Sequence, residues 1–478
     1  MKSITQELLD FVMETDFEDL PETVVHESKR IILDSIGCAL AGLSIDKGKV
    51  SVALARRLGG PPEASIIGIG DRVSCASAAF ANGELIFAMD YCNIIYPAVH
   101  VSPYVLGALL AVAEYKGSSG KDVILATALA HEVPTRLKYA MEKWRKYSTE
   151  GSDKGALVRP AVAGYGASVF GGTVGTGRLL KLDRDRMAHA IGIAGYNVPV
   201  PTFGKWSATR SAGMMKFASS GWMCSAEVTA AFLAEMGYTG DQTVLEGDYG
   251  FWRFYGSATW DSNEVINKIG EEWRMTKLLW YKPYPACGIM HSALDCFSLI
   301  IEENNLLPED IHRVKVFIDP AAQTARFQDT EIDNEIDAQY NVPYTFATMA
   351  YRIPLEDWQN PNTIKNSNIK EFMQKITVYP HPEFGEIIQK MPGVHIAKVE
   401  VEAKGKTYAE EGLHVRGHFY RGHTYPEEAR QSDEWLINKF QRNAAKVLPS
   451  FKIDKAPQAI LELEKMKNVY ELMKLVTV

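Results

Sequence analysis

The chain has 478 residues, of which 46% are hydrophobic and 23% are charged, and its formal net charge at pH 7 is -8. A chain of this length is expected to form two or three domains with large cores. The acidic balance and the lack of a dense Lys/Arg block argue against a nucleic-acid partner, because nucleic-acid binding needs a basic face.

The cysteines and the N-terminal segment indicate the compartment. Six scattered cysteines without a Cys-x-x-Cys pair predict neither a zinc knuckle nor a disulfide framework: Cys38, Cys75, Cys92, Cys224, Cys287 and Cys296. Residues 1–20 are acidic and amphipathic, with no apolar signal-peptide core, and no stretch reaches about 18 apolar residues. We therefore expect a cytoplasmic protein with no membrane partner.

Residues 5 to about 265 are predicted to be mostly helical. Apolar side chains recur at helical spacing, and Gly42 marks the end of the first long helix. Predicted helices cover residues 22–41, 105–115, 123–131, 162–171 and 212–235. The last two are rich in Ala, Gly and Ser, which allow helices to approach closely.

From about residue 273 the pattern changes. Residues 312–318 and 396–403 alternate apolar and polar side chains and are rich in β-branched residues, which predicts strands, the second entering a hairpin turn. Residues 343–351 and 369–376 are predicted helices. The resulting fold class is mainly α, a large discontinuous all-α domain with an inserted smaller α+β lid domain.

The predicted domain boundaries follow from these patterns. The helical domain is assigned to residues 1–271 and 419–478, and the α+β lid to residues 272–418. The C-terminal return is amphipathic, and its apolar residues are expected to pack on the helical domain rather than bind a partner.

Two proton-handling groups stand in the segment 78–103. A helix rich in small residues leads to Asp90, and after a loop containing Pro97, His100 begins the next apolar helix. An acid and a histidine at adjoining element ends can position a general base. Each also has a structural alternative, because an isolated histidine is usually structural and an acid can cap a helix end.

A second motif, the lysine motif, is the segment Lys282-Pro283-Tyr284-Pro285-Ala286-Cys287, with His291 four residues after the cysteine. Two prolines directly after the lysine restrict the backbone at an expected domain junction, so the lysine can be held toward a cleft. The alternatives are a solvated surface lysine and a core histidine.

These segments resemble the signatures of the MmgE/PrpD family, which includes 2-methylcitrate dehydratase, cis-aconitate decarboxylase and iminodisuccinate epimerase. The family pattern Asp-Phe-Asp-Asp followed by His-Pro is met by Asp90 and His100, with Cys92 and Asn93 in place of two acids. The lysine motif is similar to the family pattern Lys-x-Tyr-Pro-x-Cys-x-x-x-His at every fixed position. The resemblance covers nearly the whole chain and implies the same division into domains, with a homodimer formed through the helical part.

The resemblance also assigns residues outside these motifs. It places Arg210 where the family has a lysine before a Gly/Ala-rich helix, and an arginine there would grip a carboxylate rather than act as a base. It places Arg159 where the family often has a histidine. Tyr344, in Asn-Val-Pro-Tyr, would close over the substrate from the lid. The alternatives are a surface ion pair for Arg210 and a core aromatic for Tyr344.

The sequence thus favours a cofactor-free lyase that dehydrates or decarboxylates a small carboxylic acid between the two domains. In this hypothesis His100 moves the proton with support from Asp90, Lys282 binds a carboxylate, and Tyr344 completes the catalytic set. The expected substrate-binding residues are Asn93, Arg159, Arg210, Cys287 and His291. No metal and no organic cofactor are expected, since no metal-binding or nucleotide-binding motif occurs.

Two other functions stay open at this stage. One is an epimerase or isomerase of a small dicarboxylate, which needs two proton-active groups on opposite faces of one carbon. The other is a catalytically silent carboxylate-binding paralogue, because the family's second Asp, its His and its Lys are replaced at the aligned positions.

Overall fold

The computed structural model describes residues 3–95, 100–141, 162–277, 279–391, 394–413 and 431–478, together with the backbone of two short strands at 146–147 and 157–158. Helices account for 59% of the described residues, and a small mixed sheet lies in the C-terminal part. The predicted fold class, mainly α with an α+β part, is therefore confirmed.

The helices fall into three groups along the chain. The N-terminal group is α1 Ile4–Glu14, α2 Glu22–Gly42, α3 Asp46–Leu58, α4 Cys75–Phe87, α5 Ser102–Lys116, α6 Gly120–Ala140, α7 Ser168–Leu179, α8 Arg184–Tyr196, α9 Phe203–Ala208, α10 Ser220–Glu235, α11 Phe251–Tyr255, α12 Asn263–Ile266 and α13 Arg274–Lys277. The middle group is α14 His291–Glu303, α15 Ala325–Gln328, α16 Glu335–Tyr340, α17 Val342–Ala350, α18 Pro361–Ile364, α19 Ser367–Met373 and α20 Phe384–Lys390. The C-terminal group is α21 Asp433–Ala444, α22 Ser450–Leu461 and α23 Tyr470–Leu475.

Small residues bring α4, α5 and α10 into close contact. A Cβ atom built on Gly107 of α5 would lie 2.5 Å from the Ala79 carbonyl oxygen of α4. A Cβ on Gly221 of α10 would lie 2.6 Å from the Phe80 carbonyl oxygen. Both distances are shorter than a carbon–oxygen contact allows, so only glycine permits this approach.

The strands are mostly short pairs, with one four-stranded sheet. They are β1 Ala64–Ser65, β2 Arg72–Val73, β3 Ile94–Ile95, β4 Lys146–Tyr147, β5 Leu157–Val158, β6 Leu279–Trp280, β7 Ile311–Ile318, β8 Ile376–Pro380, β9 Ala397–Ala403 and β10 Lys406–Gly412. The large sheet has the order β10-β9-β7-β8, with β7 and β8 parallel and the other neighbours antiparallel. Lys404 and Gly405 have φ values of 51° and 71°, as a two-residue hairpin turn between β9 and β10 requires.

Two large apolar cores organise the chain. The first contains buried residues from Leu8 to Tyr281 and again from Leu436 to Val476, and it includes Ile336 and Tyr340. The second runs from Tyr284 to Ala403 and lies around β7, β8, β9 and α14. The C-terminal helices thus pack on the first core, as their apolar pattern predicts, whereas the assigned boundaries at 271/272 and 418/419 stay a prediction.

Three predicted helices differ from the structure. The segment predicted at 212–235 is helical only from Ser220, because residues before it turn back with Lys216 at a φ of 57°. The segment at 162–171 begins with a left-handed Gly164, and α7 starts at Ser168. The segment at 369–376 ends its helix at Met373, and its last residue opens β8 because it pairs with Val314.

Candidate active site

A two-stranded antiparallel ladder joins the two motifs found in the sequence. Ile94 of β3 pairs with Trp280 of β6, and Ile95 pairs with Leu279. β3 follows Asp90 closely and β6 ends just before Lys282, so the ladder places the two motifs side by side. Both motifs were recognised in the sequence, and the β3–β6 ladder explains why Asp90 and Lys282 come into contact.

Lys282 and Asp90 form the centre of the site. Lys282 Nζ donates to Asp90 Oδ2 at 2.7 Å, to the Asp90 carbonyl oxygen at 2.8 Å and to the Ala286 carbonyl oxygen at 2.9 Å. An ammonium group has three N–H donors, so all of them are engaged within the protein. Asp90 has a φ of 55°, and this left-handed conformation lets the ammonium reach both its carbonyl and its side chain.

Lys216 is a second ammonium on the same carboxylate, and the sequence analysis missed it. Its Nζ lies 3.3 Å from Asp90 Oδ1, donates to the Phe87 carbonyl oxygen at 3.2 Å and sits 4.1 Å from the Phe87 ring centroid. Two of its three N–H donors are therefore used by oxygen acceptors of the protein. Lys216 precedes α10, so it occupies the place before a small-residue helix that the family lysine is expected to hold.

His100 contacts the same acid from the start of α5. Its Nε2 is 3.6 Å from Asp90 Oδ1, and its Nδ1 is 3.4 Å from Cys92 Sγ. The ring also lies 4.9 Å from the Phe87 ring and 6.4 Å, stacked, from that of Phe217. The structure thus brings together Asp90, His100 and Lys282 as the sequence suggested, and adds Lys216.

Burial and charge set the protonation of this group. Although burial opposes its ionisation, the ammonium groups of Lys216 and Lys282 hold the pKa of Asp90 well below its usual range. Burial lowers the pKa of Lys216 to about 8, despite the opposing effect of Asp90. Burial and the positive charge of Lys282 keep the pKa of His100 well below 6.5, so the imidazole is neutral at pH 7. The Asp90 carboxylate is the negative group between the ammonium groups of Lys216 and Lys282. The excess positive charge of this cluster favours the binding of a further anion.

A second buried ion pair supports the first. Lys439 of α21 lies 2.7 Å from Asp34 Oδ1 and donates to the carbonyl oxygens of Tyr91 and Lys282 at 2.8 and 3.0 Å. Asn93, expected to bind substrate, donates its backbone N–H and Nδ2 to Asp34 Oδ2 at 2.8 and 3.0 Å. Asn93 is thereby part of the framework that holds both motifs.

Arg210 lies apart from the lysine pair. Its Nη2 lies 2.7 Å from Asp329 Oδ2 in a salt bridge whose partners are 27% and 37% exposed. The residue also stands ten positions before Ser220, the first residue of α10, rather than at the helix start. The structure therefore places Arg210 in a partly exposed ion pair with Asp329, and its expected role as a carboxylate ligand stays a prediction.

Tyr344 and His291 have structural partners. The Tyr344 hydroxyl donates to the Trp358 carbonyl oxygen, and the ring belongs to the second core. His291 Nε2 lies 2.9 Å from the Ala286 carbonyl oxygen, which also accepts from Lys282. Burial, reinforced by Lys282, lowers the pKa of His291 to about 3. His291 thus helps fix the lysine motif, while Tyr344 packs as a core aromatic.

Two further expected residues remain. The backbone N–H of Cys287 donates to the Gln339 carbonyl oxygen at 2.8 Å, which links the lysine motif to α16. Arg159 lies outside the described residues, so its expected role stays a prediction. None of the six cysteines forms a disulfide, as their spacing indicated.

Two absences hold for the part of the chain that the structure describes. No group of three or more His, Cys, Asp or Glu side chains there could hold a metal ion. Within the same residues, no helix combines the length and apolar character needed to cross a membrane. The expected lack of a cofactor stays a prediction.

The helical part and the α+β part correspond to two domains of known proteins. Residues 6–262 match the MmgE/PrpD N-terminal domain, and residues 284–464 match the MmgE/PrpD C-terminal domain. The chain belongs to the MmgE/PrpD family.

Its curated relatives are distant but cover its length. Cis-aconitate decarboxylase of Mus musculus is 24% identical over 490 residues, which covers 99% of this chain and 93% of the relative. The Homo sapiens enzyme of the same name is 24% identical over 485 residues, with 98% and 93% coverage. Cis-aconitate decarboxylase of Aspergillus terreus (strain NIH 2624 / FGSC A1156) is 24% identical over 501 residues, with 99% and 95% coverage.

Proposed function

We propose that this protein is a carboxylic-acid lyase that decarboxylates or dehydrates a small polycarboxylate at the Asp90 cluster. The observation that carries the proposal is the buried Asp90 carboxylate shared by Lys216 and Lys282, with a neutral His100 beside it. The names of the distant relatives favour decarboxylation, and cis-aconitate is the first substrate to test.

Lys282 acts through position and charge. Its three donors are occupied by Asp90 and Ala286, so it has no N–H left for the substrate. This changes the role expected from the sequence, where Lys282 was a carboxylate ligand. Its fixed charge stabilises negative charge that develops on the substrate, without reorganisation during the reaction.

Lys216 is the proposed proton donor. A pKa of about 8 leaves it mostly protonated at pH 7 while making the proton easy to give up. During decarboxylation the bond between the departing carboxyl group and its carbon breaks, carbon dioxide leaves, and the electron pair delocalises toward a remaining carboxylate. Lys216 then gives its proton to carbon, and Asp90 stabilises the ammonium form when the lysine is reprotonated.

The test is turnover followed by NMR in D₂O. The protein is incubated with cis-aconitate and, separately, with citrate as a hydroxy acid that can lose water. A new unsaturated product that carries deuterium at one carbon, formed together with carbon dioxide, supports decarboxylation. Loss of water from citrate supports the dehydratase form of the proposal.

Two outcomes would contradict a lyase. Deuterium incorporation into unfragmented substrate without loss of carbon dioxide or water would show an epimerase or isomerase. Binding of both acids without any turnover would show a silent paralogue. Lys216→Met serves as the control in each case, because it removes the proposed proton donor and keeps a side chain of similar length.

A further inference from the structure

Arg326 is a buried cation outside the Asp90 cluster. It belongs to α15 in the C-terminal part but reaches the helical part, where its Nη2 donates to the carbonyl oxygens of Trp206 and Thr209 at 2.6 and 2.7 Å. Arg326 is 4% exposed. These two bonds use both hydrogens of Nη2 and fix the plane of the guanidinium group.

The other nitrogens of this guanidinium lack acceptors. Among the described residues, no hydrogen-bond partner is present for Arg326 Nε or Nη1. Asp337 is an acid close enough to act on the charge of Arg326, but its Oδ2 also has no hydrogen bond. A buried guanidinium with unpaired N–H groups is costly, so the site is built for an acceptor that the described chain does not supply.

Aromatic rings lie between Arg326 and the Asp90 cluster. The Arg326 guanidinium carbon lies 4.0 Å from the Trp206 ring centroid and 5.7 Å from that of Tyr340. Trp206 contacts Phe217 at 5.3 Å between centroids, and Phe217 stacks on His100 at 6.4 Å. An aromatic layer therefore connects Arg326 with His100.

Tyr340 gives independent evidence for this position. Burial and the negative charge of Asp90 raise the pKa of its hydroxyl, and the positive charge of Arg326 opposes them. A single hydroxyl is thus within electrostatic range of both Arg326 and Asp90. Arg326 faces the same region of the domain junction as the proposed catalytic group.

We propose that Arg326 binds a second carboxylate of the substrate, distinct from the one beside Lys216, so that the substrate carries at least two carboxylates. This inference rests on the proposed function. The guanidinium suits the role because its planar N–H groups match carboxylate geometry and its stacking on Trp206 holds it in place.

The test compares two probes that differ by one carboxylate. Glutarate has two carboxylates, and pentanoate is the same five-carbon chain with only one. Affinities for both are measured by calorimetry on the wild-type protein, on Arg326→Gln and on Arg326→Lys. We expect the wild type to prefer glutarate by about tenfold or more, the range of a charge-assisted hydrogen bond.

The affinity ratio separates substrate binding from a structural role. In Arg326→Gln the preference should fall to near one, and in Arg326→Lys it should be intermediate, because lysine keeps the charge and loses the planar arrangement. Arg184→Gln is the matched control, since it removes an arginine whose partner is Asp10 in a pair outside the site, and it should keep the wild-type ratio.

Each outcome decides between the two proposals. Equal affinity of the wild type for the two probes, or an unchanged ratio in folded Arg326→Gln or Arg326→Lys, would overturn the role of Arg326 and leave the lyase proposal standing. Failure of the wild type to bind any carboxylate probe would overturn the proposed function and this inference with it.

Discussion

Lys282 and Asp90 are locked together more tightly than an ordinary ion pair. The lysine Nζ binds both the carboxylate Oδ2, at 2.7 Å, and the backbone carbonyl oxygen of Asp90, at 2.8 Å. The bond to the carbonyl fixes the backbone, and the bond to the carboxylate fixes the side chain. The second carboxylate oxygen, Oδ1, is left to face Lys216 and His100.

Asp90→Asn should destabilise the protein strongly and abolish turnover. The amide removes the only negative charge that Lys216 and Lys282 are seen to contact among the described residues, and breaking a buried pair in this way costs about 3–5 kcal/mol. Urea unfolding measures the change. Asp329→Asn is the control and should cost at most about 1 kcal/mol, because that pair is partly exposed. Equal losses for the two variants would contradict a special role for Asp90.

Lys216→Met should reduce turnover by about two to four orders of magnitude, the usual contribution of a general acid. Arg210→Lys should leave both kcat and KM close to wild-type values, because the charge is retained in its pair with Asp329. Steady-state kinetics with the substrate found in the NMR assay measures both. A large rise in KM for Arg210→Lys would return Arg210 to the substrate site.

The pH profile should report the titration of Lys216. Its pKa is lowered to about 8 by burial, so kcat/KM should fall about tenfold per pH unit above pH 8 as the proton donor is lost. Lys216→Met should remove this alkaline limb from the residual activity, since no group with that pKa remains at the position. An alkaline limb at the same pH in Lys216→Met would assign it to another group.

The free energy of unfolding should also depend on the titration of Lys216, and it should rise with pH. Between about pH 8 and 10.5 the unfolded chain binds a proton at Lys216 that the folded chain does not, so the free energy of unfolding contributed by this residue rises with pH. The difference in unfolding free energy between wild type and Lys216→Met should therefore grow in favour of the wild type across that window. A constant difference would show that the folded pKa is not lowered.

Cys92→Asp should raise the pKa of His100. In the wild type, burial and Lys282 keep that pKa well below 6.5, and the Cys92 thiol 3.4 Å from Nδ1 adds no negative charge because burial raises its own pKa to about 12. A carboxylate there favours the imidazolium form. NMR titration of the imidazole measures the change, and Cys92→Ser is the uncharged control. An equal rise in Cys92→Ser would attribute the effect to packing.

The part of the fold that could be predicted has regular local patterns. The alternation in residues 396–403 gave β9, and the apolar periodicity of residues 22–41 gave α2, because each pattern is maintained by one buried face. Asp90 and Lys282 were found because each stands in a segment with several marked residues. Their contact depends on the β3–β6 ladder, whose two-residue strands are too short to show a period.

Lys216 and Arg326 show why the rest could not be predicted. Residues 212–219 have the composition of a helix, but the left-handed turn at Lys216 brings its ammonium to Asp90, and this tertiary ion pair overrides local propensity. Arg326 stands in a helix of four residues, where no periodicity distinguishes a buried arginine from an exposed one. The sequence pointed to Arg210 as a carboxylate ligand, and only the structure shows that Arg326 is the more buried of the two arginines.

The Lys439 ammonium gives the site an order of assembly. It comes from α21, near the end of the chain, yet it binds Asp34 and the backbone carbonyls of Tyr91 and Lys282. The loops that carry Tyr91 and Lys282 therefore lack this shared anchor until α21 has packed on the first core. The contact between Asp90 and Lys282 would be completed late in folding, after helices that are distant in sequence have come together.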